Sequence, residues 1–223
     1  MGRMLPRSRR GRQAVALAAA VVAGAAILAG VELGTSGSPL TFTAGAGLAS
    51  QAARLGQPVS YAAFLATHPP GYSYQVTHVS LIPVPGFRAP RLLGAVFLRT
   101  KAPPLQAFGY PPLELNGTPW PVYPLGRYKA RSGTPPHRPE LVLMYGLRGS
   151  QLGGYATAGI RISYVVAQRS YTTDIYNGAL LFYYPRHETH GQYRESMAQY
   201  SRMENRVAMA MQRLPGVKAA GGG

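Results

Sequence analysis

The chain has 223 residues, 46% of them apolar and 13% charged, which fits one globular domain and excludes a disordered polymer or a multi-span membrane protein. Lysine and arginine number 23 against 7 aspartate and glutamate, a formal net charge of +16, so the protein's field attracts anions. Cysteine is absent, which excludes thiol catalysis, cysteine-ligated metal, iron–sulfur clusters, disulfides and lipid attachment through sulfur.

Residues 1–13 form a basic segment carrying Arg3, Arg7, Arg9, Arg10 and Arg12, and residues 14–31 are all Ala, Val, Leu, Ile or Gly. An apolar run of 18 residues sits at the lower edge of what spans a bilayer as a helix. Arginines cluster before it, and only Glu32 is charged between it and Arg54. By the positive-inside rule the N-terminus is cytoplasmic and the remaining chain lies outside, so a single-pass signal-anchor at the cell membrane is expected. Ala23-Gly24-Ala25 offers the small-x-small pattern of signal-peptidase sites, so the alternative is cleavage and secretion. The segment that follows carries 18 basic and 7 acidic residues, a net +11.

Residues 32–58, rich in Gly, Ala, Ser and Thr, read as a flexible tether in which 48–55 have the composition of a short helix. The extracytoplasmic domain is expected over 59–214. It opens with a second short helix over 60–66, capped by Ser60 and stopped by Pro69-Pro70. Period-2 alternation of Tyr72, Tyr74 and Val76 predicts a strand over 72–82, and the apolar run at 91–100 predicts a buried one. Residues 103–139 hold 10 of the 20 prolines and read as extended loop, with a hairpin signal at Asn116-Gly117.

Residues 140–147, 160–166, 171–176 and 179–184 read as strands of an antiparallel meander. A four-residue loop over 167–170 sets Ser163 opposite Asp174, the only aspartate, with Arg161 its diagonal neighbour in an ion pair. A helix is predicted over 187–214, opened by a capping box of Thr189 and Gln192 and closed by Pro215-Gly216. Its apolar positions Tyr193, Met197, Tyr200, Val207, Met211 and Leu214 form one face, interrupted by Glu204. Residues 215–223 read as a disordered tail. The expected fold class is α+β: a transmembrane helix, then an antiparallel sheet domain with a short N-terminal helix and a long C-terminal helix packed on the sheet.

No nucleophile elbow, P-loop or dinucleotide fingerprint occurs, and no motif requires a cofactor. His187-Glu188-Thr189-His190 has two imidazoles three apart with a carboxylate between them, the residue types of a zinc hydrolase but not its i, i+4 spacing. A secreted or anchored hydrolase using His187, Glu188 and His190, with His187 and His190 as metal ligands, is the alternative reading. The leading one is a non-enzymatic binding domain of the cell envelope. Trp120, Tyr123, Arg127, Tyr128, Lys129, Arg131 and Arg138 interleave aromatic and cationic groups in the proline-rich region. Such groups stack on ring systems and pair with anions, or else cover a sheet edge. The expected partners are an anionic wall polymer, lipid headgroups or another envelope protein; nucleic acid fits an outward-facing domain poorly.

Overall fold

The computed structural model describes residues 40–42, 47–63, 65–67, 73–99, 105–114, 117–126, 130–131 and 141–218. The expected transmembrane segment at 14–31 lies outside them. Among the described residues no helix is long and apolar enough to cross a membrane.

The strands are β1 (Leu40–Phe42), β2 (Leu48–Arg54), β3 (Val59–Ala63), β4 (Leu65–Thr67), β5 (Ser73–Pro83), β6 (Arg91–Arg99) and β7 (Gln106–Phe108). They continue with β8 (Val122–Pro124), β9 (Ala130–Arg131), β10 (Leu141–Arg148), β11 (Gly153–Val166), β12 (Arg169–Ile175) and β13 (Gly178–Tyr184). Two helices follow, α1 (His190–Gln212) and the single turn α2 (Pro215–Lys218). One sheet has the order β7-β3-β10-β6-β8, a second has β2-β13-β11-β5-β9 with β12 also on β11, and β1 pairs with β4. All pairings are antiparallel except β13 with β2. The chain is therefore a sheet-rich α+β fold with one long C-terminal helix.

Two sheets, not one, enclose the core. Val59, Tyr61, Phe97, Leu143, Tyr145 and Leu147 of the first pack on Val76, Ile160, Ile162, Tyr164, Leu181 and Tyr183 of the second. At about 1.5–3 kcal/mol for each fully buried large side chain, this shared interior is the principal source of stability. Tyr61 and Tyr145, opposite each other on β3 and β10, stack at 6.0 Å and reach across the sandwich. The Tyr61 hydroxyl donates to the Leu180 carbonyl at 3.0 Å and that of Tyr145 to Asn177 Oδ1 at 3.1 Å. Asn177 Nδ2 returns a bond to the Ala62 carbonyl at 2.7 Å, so polar contacts fix how the sheets sit on each other.

The long helix forms as expected. Thr189 Oγ1 accepts from the Gln192 amide at 3.3 Å and Gln192 Oε1 accepts from the Thr189 amide at 2.9 Å, completing the capping box. Val207 and Met211 are buried against Ala156, Ala158 and Leu180 on the outer face of the second sheet. Close approach depends on missing side chains: a Cβ on Gly154 would lie 1.8 Å from Met203 Sδ, and one on Gly178 2.3 Å from Met211 Sδ. Glu204, which interrupts the apolar spacing, accepts a hydrogen bond from Ser50 Oγ and ties the helix to β2.

The two short N-terminal helices are not there. Residues 48–54 form β2, inside the sequence expected to be tether, and 59–63 form β3, all five residues buried. Alanine-rich sequence favours helix locally, but β2 is held along its length by β13, and β3 is enclosed by β10 and β7. The proline-rich region contains β7, β8 and β9, and the Gly117 amide bonds the Glu114 carbonyl at 2.9 Å. At the C-terminus, residues 215–218 form a helical turn rather than tail.

The β11–β12 hairpin closes at Ala167-Gln168, not through a four-residue loop, and places Arg161 directly opposite Asp174 and Ser163 opposite Thr172. Both turn residues have positive φ, 47° and 65°, the backbone of a tight two-residue hairpin turn usually made by Asn-Gly. The expected ion pair forms nonetheless, with Arg161 Nε and Nη2 donating to the two Asp174 oxygens at 2.6 and 2.8 Å.

Candidate functional site

Of the aromatic and basic positions singled out above, Arg127, Tyr128, Lys129 and Arg138 lie outside the described residues, and Arg131 is described only as backbone of β9, opposite Ser73. Trp120 is half-buried and packs on Ala62, Leu98, Val142 and Met144, the outer face of the first sheet. Tyr123, opposite Phe97 in the β6–β8 pair, packs against the main core. Both aromatic rings therefore serve sheet packing.

Nearby, Tyr110 anchors the start of the same region. Gly146 and Gly94 are directly opposite on β10 and β6, and the Tyr110 ring fills the space above them. A Cβ on Gly146 would stand 2.2 Å from Tyr110 Cδ2, and one on Gly94 2.6 Å from its hydroxyl. Burial raises the Tyr110 pKa, as expected for a phenol pressed onto a sheet.

The histidine cluster does not assemble. His187 precedes the N-cap, so it is not on the helix, and the i, i+3 convergence that a shared metal would require is lost. His187 and His190 are both exposed. Glu188 turns away to accept from Ser196 Oγ at 2.6 Å. Among the described residues no three of His, Cys, Asp and Glu gather in a way that could hold a metal ion.

A second grouping also fails as catalytic machinery. Ser163 and His78 are opposite on β11 and β5, with Asp174 one strand away. Yet both Asp174 oxygens are taken by Arg161, and Ser163 Oγ lies 3.4 Å from Thr172 Oγ1. No proton relay links the three.

The arginines carry the clearest signal. Every arginine whose side chain is described is exposed, and Arg161 with Asp174 is the only ion pair among the described residues. Five of these eleven lie at one end of the sandwich, where β2, β10 and β13 finish and β6 and β11 begin. Arg54, Arg88, Arg91, Arg148 and Arg186 occur there. The end is rigidly built: the turn after β10 rests on Tyr155 and Tyr183, whose rings meet edge-on at 6.0 Å. A Cβ on Gly149 would strike both rings at 2.4 Å. Tyr155 Oη accepts from the Gln151 amide at 2.8 Å, and the Tyr183 hydroxyl donates to the Gln57 carbonyl at 2.8 Å. Burial raises the Tyr183 pKa, opposed by the Gly149 amide and by the charge of Arg148.

The arginines of this end differ in how far they are engaged. Arg88 bonds Gln151 Oε1 at 3.1 Å and the Leu152 carbonyl at 2.9 Å and lies 4.8 Å from the Tyr155 ring centre, a clamp on the turn. Arg91 and Arg148 are opposite each other on β6 and β10, with no carboxylate on either among the described residues. Sequence reasoning missed this end because its residues come from five separated strand termini and only the pairing register brings them together. The available signal was that Arg54, Arg91 and Arg148 each lie within a few residues of a glycine or proline turn with no acidic neighbour. No protein-family model matches the chain, and no curated protein matches it.

Proposed function

We propose that this protein is a binding domain of the cell envelope, held at the membrane by residues 14–31, that engages an anionic polymer on the extracytoplasmic side. The observation that carries this reading is the imbalance at the surface: among the described residues every arginine but Arg161 lacks a carboxylate partner, and five of these exposed side chains share one end of the sandwich. Among the described carboxylates Asp174 is paired with Arg161, Glu188 accepts from Ser196 and Glu204 from Ser50, and none forms an ion pair with an arginine of this end. An uncompensated positive field on a scaffold that needs no rearrangement favours binding of extended anions. The orientation rests on Arg3 to Arg12 preceding the apolar run.

The test has two parts. A reporter active only outside the cytoplasm, fused after Gly34, works, and the full-length protein stays in the membrane fraction; a soluble mature form beginning near Ala26 overturns the anchor. The purified full-length chain is retained on immobilised acidic polymer and not on a neutral polymer of equal length. Equal retention on both, or on neither, overturns the binding reading.

A further inference from the structure

We infer that Arg91 and Arg148 form a two-guanidinium site for the phosphate group of an envelope polymer. This rests on the binding reading above and assigns it a place and a ligand chemistry.

The two residues are direct partners in the antiparallel β6–β10 pair. Directly opposed side chains have their Cβ atoms about 5 Å apart and share one face of the sheet. Their neighbours Leu92 and Leu147, also paired, pack on the core, so the alternation of the strands turns both arginines outward. Both are exposed, and neither has an acidic partner among the described residues. Two like charges held opposite each other disfavour the fold, and arginine cannot relieve the repulsion by losing its proton. A strand pair built this way lowers its energy by taking up an anion between the two guanidiniums.

The surroundings fix the backbone on which the pair stands. A register shift between Gly146 and Leu147 offsets the strands immediately before it, and the Tyr110 ring sits over the adjacent Gly94–Gly146 step on the same face. The Arg148 guanidinium extends toward the turn before β3, where a Cβ on Gly56 would lie 3.8 Å from Nη2, and it swings toward β6 to meet an anion beside Arg91.

The chemistry favours phosphate. A planar carboxylate presents two oxygens in one plane, and a single guanidinium fork satisfies both. A phosphate presents oxygens in several directions, so forks from two adjacent strands engage it together. The position favours a polymer over the bilayer to which the chain is attached. The chain enters β2 at Leu48, while Arg54, at the other end of that strand, belongs to the arginine end. Six residue steps of extended strand put that end about 20 Å from the point of entry.

The test uses the full-length chain in detergent-free phosphatidylcholine nanodiscs and measures binding of poly(glycerol phosphate), phosphatidylglycerol vesicles and polyglutamate. These offer polymer phosphate, the same glycerol phosphate as a lipid headgroup, and polymer carboxylate. Arg91→Gln with Arg148→Gln weakens poly(glycerol phosphate) binding on the order of a hundredfold, about tenfold for each guanidinium removed from the phosphate. Arg194→Gln with Arg202→Gln, which removes the same charge from the exposed side of α1, weakens it far less. Phosphate addition raises the melting temperature of the wild type and not of the β6–β10 double variant, whose own melting temperature is no lower than wild type and shows that it is folded. Equal losses in the two double variants overturn the site and leave general anion binding standing. Binding to vesicles alone, or equal affinity for polyglutamate, overturns the polymer phosphate assignment. No binding of any of the three by the wild type overturns the function proposed above.

Discussion

Gly146→Ala tests how the proline-rich region is seated on the first sheet. The new Cβ would stand 2.2 Å from Tyr110 Cδ2 and 2.3 Å from its Cγ, where ordinary contact begins at 3.4 Å, so the ring must retreat by more than 1 Å. Those two atoms are at the base of the ring, so a change of ring tilt alone does not clear the clash. Overpacking of this kind costs about 1–3 kcal/mol. Gly94, the other half of the floor, already lies under the Tyr110 hydroxyl, 2.6 Å from where its own Cβ would stand, so the ring has little space to retreat in that direction. The assay is urea unfolding of the wild type, Gly146→Ala, Tyr110→Ala and the double variant. The single glycine variant loses about 1–3 kcal/mol, and in the Tyr110→Ala background the same change costs a few tenths, a coupling close to the whole effect. An undiminished cost when the ring is already gone refutes the seating of Tyr110 on Gly146.

Two further outcomes follow from the structure. Thr189→Ala removes the capping box at the start of α1 and costs about 1 kcal/mol in urea unfolding, and adding Gln192→Ala costs little more because the two side chains act as one unit. Burial, then the proximity of Tyr145, holds the Tyr61 hydroxyl well above its ordinary 10.0, and burial does the same for Tyr145. Their contribution to stability is complete below pH 10 and falls as pH rises above it, because the unfolded chain ionises first. Each tyrosine adds a slope of about 1.4 kcal/mol per pH unit in that window. Denaturation followed between about pH 9 and 12 checks this, and stability flat across that range contradicts it.

The C-terminal half was legible because its signals are local. Apolar and β-branched runs between turn signals marked β10, β12, β13 and the second half of β11, though residues 153–159 of β11 fell in an expected connection; a continuous apolar run marked β6 as buried, and the Thr189–Gln192 pair marked the start of α1. The division into two sheets was not legible. β5 and β6 are consecutive yet lie in different sheets, and alternation reveals that a residue is buried without revealing against what. Tertiary context also overrode local preference at β2 and β3, where alanines read as helix but fit the close space between paired strands. The Ala167-Gln168 turn hid its geometry because neither residue is one that positive φ usually selects. Arg91 and Arg148 are 57 positions apart in the chain, so only the pairing of β6 with β10 exposes them as neighbours.

The most direct measurement of the central claim is the affinity of the full-length chain for poly(glycerol phosphate) at low and high salt. Raising ionic strength from about 0.1 M to about 1 M shortens the Debye length from about 10 Å to about 3 Å. Tight binding at low salt that is largely abolished at high salt is the predicted result, since exposed arginines without carboxylate partners supply the attraction. Binding unchanged by salt, or none at low salt, contradicts it.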